Sequence, residues 1–144
     1  MVHPSRSRST EPRIVLVVDA DTDAGRLLAG HLSSQGFVAS HSSRGEEAIQ
    51  LARSGRLGLA IVDVALQDMS GLALASWLKE VGREIPILMT TADYRPELEV
   101  RARQAGVLYY AQKPIDYQRL EAVVTKAIGE PAAPGTGRSV AKAG

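Results

Sequence analysis

The chain has 144 residues, 44% of them hydrophobic and 23% charged, enough for one domain with a real core and little more. A formal net charge of +1 argues against a broad nucleic-acid surface, and the lack of cysteine excludes disulfides, cysteine–zinc sites and thiol catalysis. No apolar run approaches a membrane span, and Arg6, Arg8 and Arg13 are not followed by the apolar segment of a secretion signal, so a cytoplasmic setting is expected.

Residues 1–12 are rich in Ser, Arg and Pro without periodicity and read as a disordered tail. Ile14-Val15-Leu16-Val17-Val18 is an unbroken apolar, mostly β-branched run. It lacks alternation, so it predicts a strand buried on both faces, as in a parallel sheet. It stops at Asp19. Asp21 or Thr22 can cap the helix that follows. That helix carries Leu27, Leu28, His31 and Leu32, and Gly36 ends it. His31 reads as a packing residue, since His3 and His41 offer no metal-ligand spacing with it.

A second, more polar strand spans 37–42 and suits a sheet edge. Ser43-Arg44-Gly45-Glu46 has the form of a capping box. It opens a helix with Ala48, Ile49, Leu51 and Ala52. The third strand covers 57–62. The third helix covers 71–81 with Leu74, Leu78 and Val81 on one face and Trp77 flanking them. The fourth strand runs 85–89, with Pro86 near its start where no ladder donor is missed. A charged helix follows over 96–104. The fifth strand spans 107–111, and a helix from about Asp116 carries Leu120, Val123, Val124, Ala127 and Ile128. The Pro-, Ala- and Gly-rich residues 130–144 read as a flexible tail or linker.

Five strand–helix units in alternation predict an α/β fold with a doubly wound parallel sheet. In a five-stranded sheet of order 2-1-3-4-5, the flavodoxin-like arrangement, ligands gather at the carboxyl ends of the first and third strands. Those strands end in Asp19 and Asp63. The fourth ends in Thr90-Thr91, and the fifth in Gln112-Lys113. Two carboxylates, a hydroxyl and an ammonium should therefore converge. Each alone reads as a cap or a turn. Together they suit Mg²⁺ and a phosphoryl group, because phosphoryl transfer needs positioning and charge neutralisation above all.

Over residues 13–129 the sequence resembles the receiver domain of two-component response regulators. The resemblance is carried by Ile14-Val15-Leu16-Val17-Val18-Asp19 and by Asp63 with Leu66, Met69 and Gly71. It continues in Pro86-Ile87-Leu88-Met89-Thr90-Thr91-Ala92 and in Ala105-Gly106 through Tyr110-Ala111-Gln112-Lys113-Pro114. The resemblance implies that Asp63 is the phosphoacceptor and that Thr91 and Lys113 contact the phosphoryl group. It implies that Thr91 and Tyr110 form the switch, and that Asp19, Asp63 and the Ala65 carbonyl bind Mg²⁺. The implied donor is a sensor histidine kinase or a histidine phosphotransfer protein. The implied consequence is a repacked partner surface on the fourth helix, fifth strand and fifth helix, read by an effector the sequence does not name. A homodimer through that same face is common among such domains. No membrane or direct nucleic-acid role is implied, and no enzymatic activity beyond self-phosphotransfer and autodephosphorylation.

One departure bears on the chemistry. The family usually carries adjacent acids at the first strand end, and here Ala20 occupies the second place. Alanine supplies no ligand. At about 4 Å and an effective dielectric near 20 a unit-charge pair is worth roughly 4 kcal/mol before desolvation, so weakened Mg²⁺ binding is expected unless Asp21 swings in as a substitute. Gln67 and Ser70 stand where the family often has Pro and Asp or Asn. The alternative is a phosphorylation-independent receiver-like interaction module. A haloacid-dehalogenase-type phosphatase shares Asp19-x-Asp21, but Asp23 stands where that family wants Thr or Val, and it needs a further acidic pair after the lysine, where this chain has only Asp116 and Glu121.

Overall fold

The structure is a computed structural model that describes residues 13–81 and 84–131. The two predicted tails fall on residues 1–12 and 130–144 and lie, apart from 130–131, outside the described residues. In chain order the elements are β1 (Ile14–Val18), α1 (Thr22–Ser34), β2 (Ala39–Ser42), α2 (Gly45–Arg53) and β3 (Leu57–Asp63). They continue with α3 (Gly71–Glu80), β4 (Ile87–Thr91), α4 (Pro96–Gln104), β5 (Tyr109–Gln112) and α5 (Tyr117–Ile128). All strand pairs are parallel, in the order β2-β1-β3-β4-β5. The predicted sheet and its five helices are therefore present.

Alternate side chains of each central strand serve two cores. Val15 and Val17 of β1, with Leu59, Ile61 and Leu88, meet Leu28 and Leu32 of α1 and Leu120 and Val124 of α5. Leu16 and Val18, with Val62 and Met89, meet Ile49 of α2, Leu74 and Leu78 of α3 and Ala102 of α4. A strand that feeds both faces has no solvent side, so its sequence cannot alternate. The edge strands β2 and β5 are only half-buried, and their composition is correspondingly polar.

Several boundaries differ from expectation. β2 starts at Ala39 because the Phe37 amide is spent on the Leu32 carbonyl, closing α1. β4 starts at Ile87, after the proline that has no amide to donate. β5 starts at Tyr109 because the Val107 amide closes α4 on Ala102, with Gly106 at φ 90° making the turn. The capping box at Ser43 does not form. Arg44 is the N-cap of α2 and gives no side-chain capping hydrogen bond; the cap comes from Asp68, far away in sequence.

Register aligns the strand ends. Val18 pairs with Val62, which brings Asp19 level with Asp63. Asp63 pairs with Thr90, and Thr91 with Gln112. The residues singled out in the sequence thus share one end of the sheet, at the β1–β3 crevice where strand order reverses.

Candidate functional site

Asp19 and Asp63 are buried at this end of the sheet, at 7% and 8% exposure. Two buried carboxylates side by side are costly unless something compensates them. Lys113, the first residue after β5, does so. Its Nζ donates to Asp19 Oδ2 at 2.9 Å and to Asp63 Oδ2 at 2.5 Å. Burial pulls the Lys113 ammonium down, but the bonds and charges of Asp63 and Asp19 outweigh it, and its pKa lies above the ordinary 10.5. The three groups carry one net negative charge, two carboxylates against one ammonium.

The second carboxylate oxygens are held by backbone. Asp63 Oδ1 accepts the Ala65 amide at 2.9 Å, and Asp19 Oδ1 accepts the Asp21 amide at 2.9 Å. Asp21 is the N-cap of α1, accepting from the Ala24 amide at 3.2 Å. Ala20, half-buried beside Asp19, offers no donor. His41 Nε2 donates to the Asp19 carbonyl at 2.9 Å, and its ring lies on Gly25, where a Cβ would collide with it. Gly71 is required for a similar reason, since a Cβ there would run into the Asp63 carbonyl.

Thr91 is buried. Its Oγ1 accepts the Asp93 amide at 2.8 Å and sits 3.3 Å from the Asp93 carbonyl. It is therefore engaged by its own loop rather than by Asp63. The Tyr110 ring packs on the core under α2, α3 and α4, with its hydroxyl buried and without a well-formed hydrogen bond. Burial raises the Tyr110 pKa, against a smaller opposing pull from the neighbouring Thr91 side chain. The Lys113–Pro114 peptide is cis. Tyr94, from the β4–α4 loop, donates its hydroxyl to the Lys113 carbonyl.

The site offers hard oxygen donors in the carboxylates of Asp19 and Asp63, with the exposed Ala65 beside them. That chemistry fits Mg²⁺, which takes few protein oxygens and keeps waters. The set is thin. Among the described residues no cluster of three or more His, Cys, Asp or Glu is placed to hold a metal.

The structure brings together Asp19, Asp63 and Lys113 as the sequence suggests. Thr91 and Tyr110 adjoin each other, with Thr91 bonded to Asp93. Sequence reasoning missed His41, Tyr94 and Asp68. Gly25 inside a helical pattern was the one signal for a close approach, here by His41. Nothing local marks Tyr94 or Asp68, whose partners lie on other loops.

Comparison with known proteins agrees with the geometry. The family model described as "Response regulator receiver domain" matches residues 15–125. The polar-differentiation response regulator DivK of Brucella anthropi is 31% identical over 121 residues, covering 83% of this chain and 98% of DivK. The transcriptional regulatory protein ZraR of Escherichia coli K12 is 32% identical over 114 residues, 79% of this chain but only 26% of ZraR; the chain spans about a quarter of that regulator. Among solved structures, a two-component response regulator from Clostridium difficile superposes with a TM-score of 0.74 at 26% identity, covering 80% of this chain and 94% of the other. A receiver domain protein from Methanospirillum hungatei gives 0.75 at 22% identity over 82% and 94%, a likeness of fold. On the matched model, the relatives and the shared architecture, this chain belongs to the response regulator receiver domain family.

Proposed function

We propose that Asp63 accepts a phosphoryl group from the phosphohistidine of a sensor histidine kinase or a histidine phosphotransfer protein. The observation that carries this is Lys113 Nζ, bonded to both Asp19 and Asp63 at the end of the sheet. An Asp63 oxygen attacks phosphorus. The new O–P bond forms as the P–N bond breaks, and the imidazole leaves. Lys113 stays beside the added charge and offsets it. Thr91 leaves Asp93 and turns its hydroxyl toward the phosphoryl oxygens, and Tyr110 follows into the space it vacates. The face made by α4, β5 and α5 is the one that responds, and an effector reads it. Attack of water on phosphorus later returns Asp63 and inorganic phosphate. The reading includes a phosphorelay in the cytoplasm, with no enzymatic turnover of other substrates.

Asp19, Asp63 and the Ala65 carbonyl would hold Mg²⁺, which when bound supplies further neutralisation of phosphoryl charge. Ala20 removes one carboxylate from that set, so weak affinity is part of the proposal. A second reading, a receiver-like module that binds partners without phosphorylation, draws on one observation. Lys113 Nζ bonds both carboxylates and so offsets their charge. Acetyl phosphate with and without Mg²⁺ separates the two. Gain of one phosphoryl group by the wild type, strengthened in Ala20→Asp and lost in Asp63→Asn, is the expected result. No gain in the wild type but gain in Ala20→Asp would favour the second reading.

A further inference from the structure

Asp68 lies on the loop between β3 and α3, downstream of Asp63, and its side chain is 12% exposed. Its Oδ1 accepts the Gly45 amide at 2.8 Å, and its Oδ2 accepts the Glu46 amide at 3.1 Å. These are the first donors of α2, which its own N-cap leaves without a side-chain partner. A carboxylate at a helix N-terminus is favoured by the dipole, and such charge-assisted bonds are of the strong class. Burial pushes the Asp68 carboxyl up, but the Gly45 and Glu46 amides outweigh it, and its pKa is lowered from the ordinary 3.8. The clamp is therefore charged at neutral pH.

The neighbours reinforce it. Ser43 Oγ lies 3.4 Å from Gln67 Oε1, and Met69 covers Gly45 so closely that a Cβ there would meet its sulfur at 2.8 Å. Residues 67–69 are thus all fastened to 43–46. No proline stiffens the loop between Val64 and Ser70. At its base the loop is closed by the Gly71 amide on the Val64 carbonyl at 2.6 Å and by an antiparallel bridge between Ala65 and Ser70. Ala65 sits between these anchors. Its amide donates to Asp63 Oδ1 at 2.9 Å and so orients that carboxylate.

We propose that Asp68 is a positioning residue for the phosphorylation site: by docking the β3–α3 loop on the N-terminus of α2, it sets the placement of Ala65 against Asp63. This rests on the reading of Asp63 as the acceptor. It differs from a cap that merely stabilises α2, because the loop is held as much as the helix.

The test compares the wild type, Asp68→Ala, Asp68→Asn and, as a destabilised control remote from the loop, Val124→Ala. Amide hydrogen exchange is read at Ala65 and Gly71 relative to Val17 and Leu88 of the sheet. Asp68→Ala should speed exchange at Ala65 and Gly71 by about tenfold against the sheet amides. Asp68→Asn keeps one acceptor oxygen and should fall between. Val124→Ala should leave the ratio as in the wild type. Phosphorylation by acetyl phosphate should slow several-fold in Asp68→Ala and recover in part in Asp68→Asn. An unchanged exchange ratio in Asp68→Ala overturns the proposal, as does a raised ratio with an undiminished phosphorylation rate. A wild type that takes up no phosphoryl group sinks the reading of Asp63 instead, and the exchange ratio then decides the role of Asp68 by itself.

Discussion

Lys113 is the residue on which the site's balance turns. Two carboxylates held level by strand register repel each other, and one ammonium between them turns repulsion into two charge-assisted bonds. Removing it in Lys113→Ala leaves both acids uncompensated. With Lys113 a quarter exposed, a loss of about 1–3 kcal/mol is the fair expectation, read by urea denaturation. The sign of the pH dependence follows from the raised Lys113 pKa. The contribution is fully present below the ordinary 10.5 and is lost as pH rises through the higher value in the folded protein. The stability gap between the wild type and Lys113→Ala should therefore hold steady below pH 10.5 and close as pH rises above it, and a gap that persists unchanged at high pH would contradict the pairing. At this scale the sequence was informative about identity: Asp19, Asp63, Thr91 and Lys113 all stand at strand ends. It said less about present partners. Thr91 is bonded to Asp93, Asp21 is a helix cap, and His31 is bonded to Glu121 at 3.0 Å rather than free for a ligand.

Among the elements, strands were legible because burial on both faces leaves an uninterrupted apolar run, as in β1. Ends were less so, because they depend on where a single amide goes. Phe37 and Val107 look like strand residues but serve to close α1 and α4. The start of α2 was misassigned for a related reason. A capping box is visible in sequence since its two partners are three residues apart, whereas the actual cap, Asp68, arrives from another loop. Close approaches are similarly hidden, with glycine as their only trace. Gly71 at the start of α3 lets the helix backbone lie against the Asp63 carbonyl. Gly71→Ala must push α3 and β3 apart, at a cost of about 1–3 kcal/mol. Thermal unfolding should show it, together with a disturbed Asp63 environment by NMR. A fully stable variant with an unaltered site would mean the contact is looser than the structure has it.

For the molecule as a whole, the decisive fact is topological. Lys113 and Asp19 are separated by most of the chain, yet both belong to the one end of a five-stranded sheet at which strand order reverses. Alternating strand–helix units imply that convergence without any distance being known. The same architecture sets the site between two differently built cores. α1 and α5 lie on one side, α2, α3 and α4 on the other, with Tyr110 on the second. In the proposed function a change at Asp63 would run outward through Thr91 and Tyr110, with the β3–α3 loop docked by Asp68 as its proposed fixed reference. In the proposed function Asp63 itself carries the phosphoryl group. Treating the protein with acetyl phosphate and Mg²⁺, reducing with borohydride, and sequencing peptides by mass spectrometry tests it directly, since an aspartyl phosphate is reduced to homoserine. Homoserine at position 63, absent without the phosphodonor, is the predicted result. Unreduced Asp63 throughout, or homoserine at another aspartate, would contradict it.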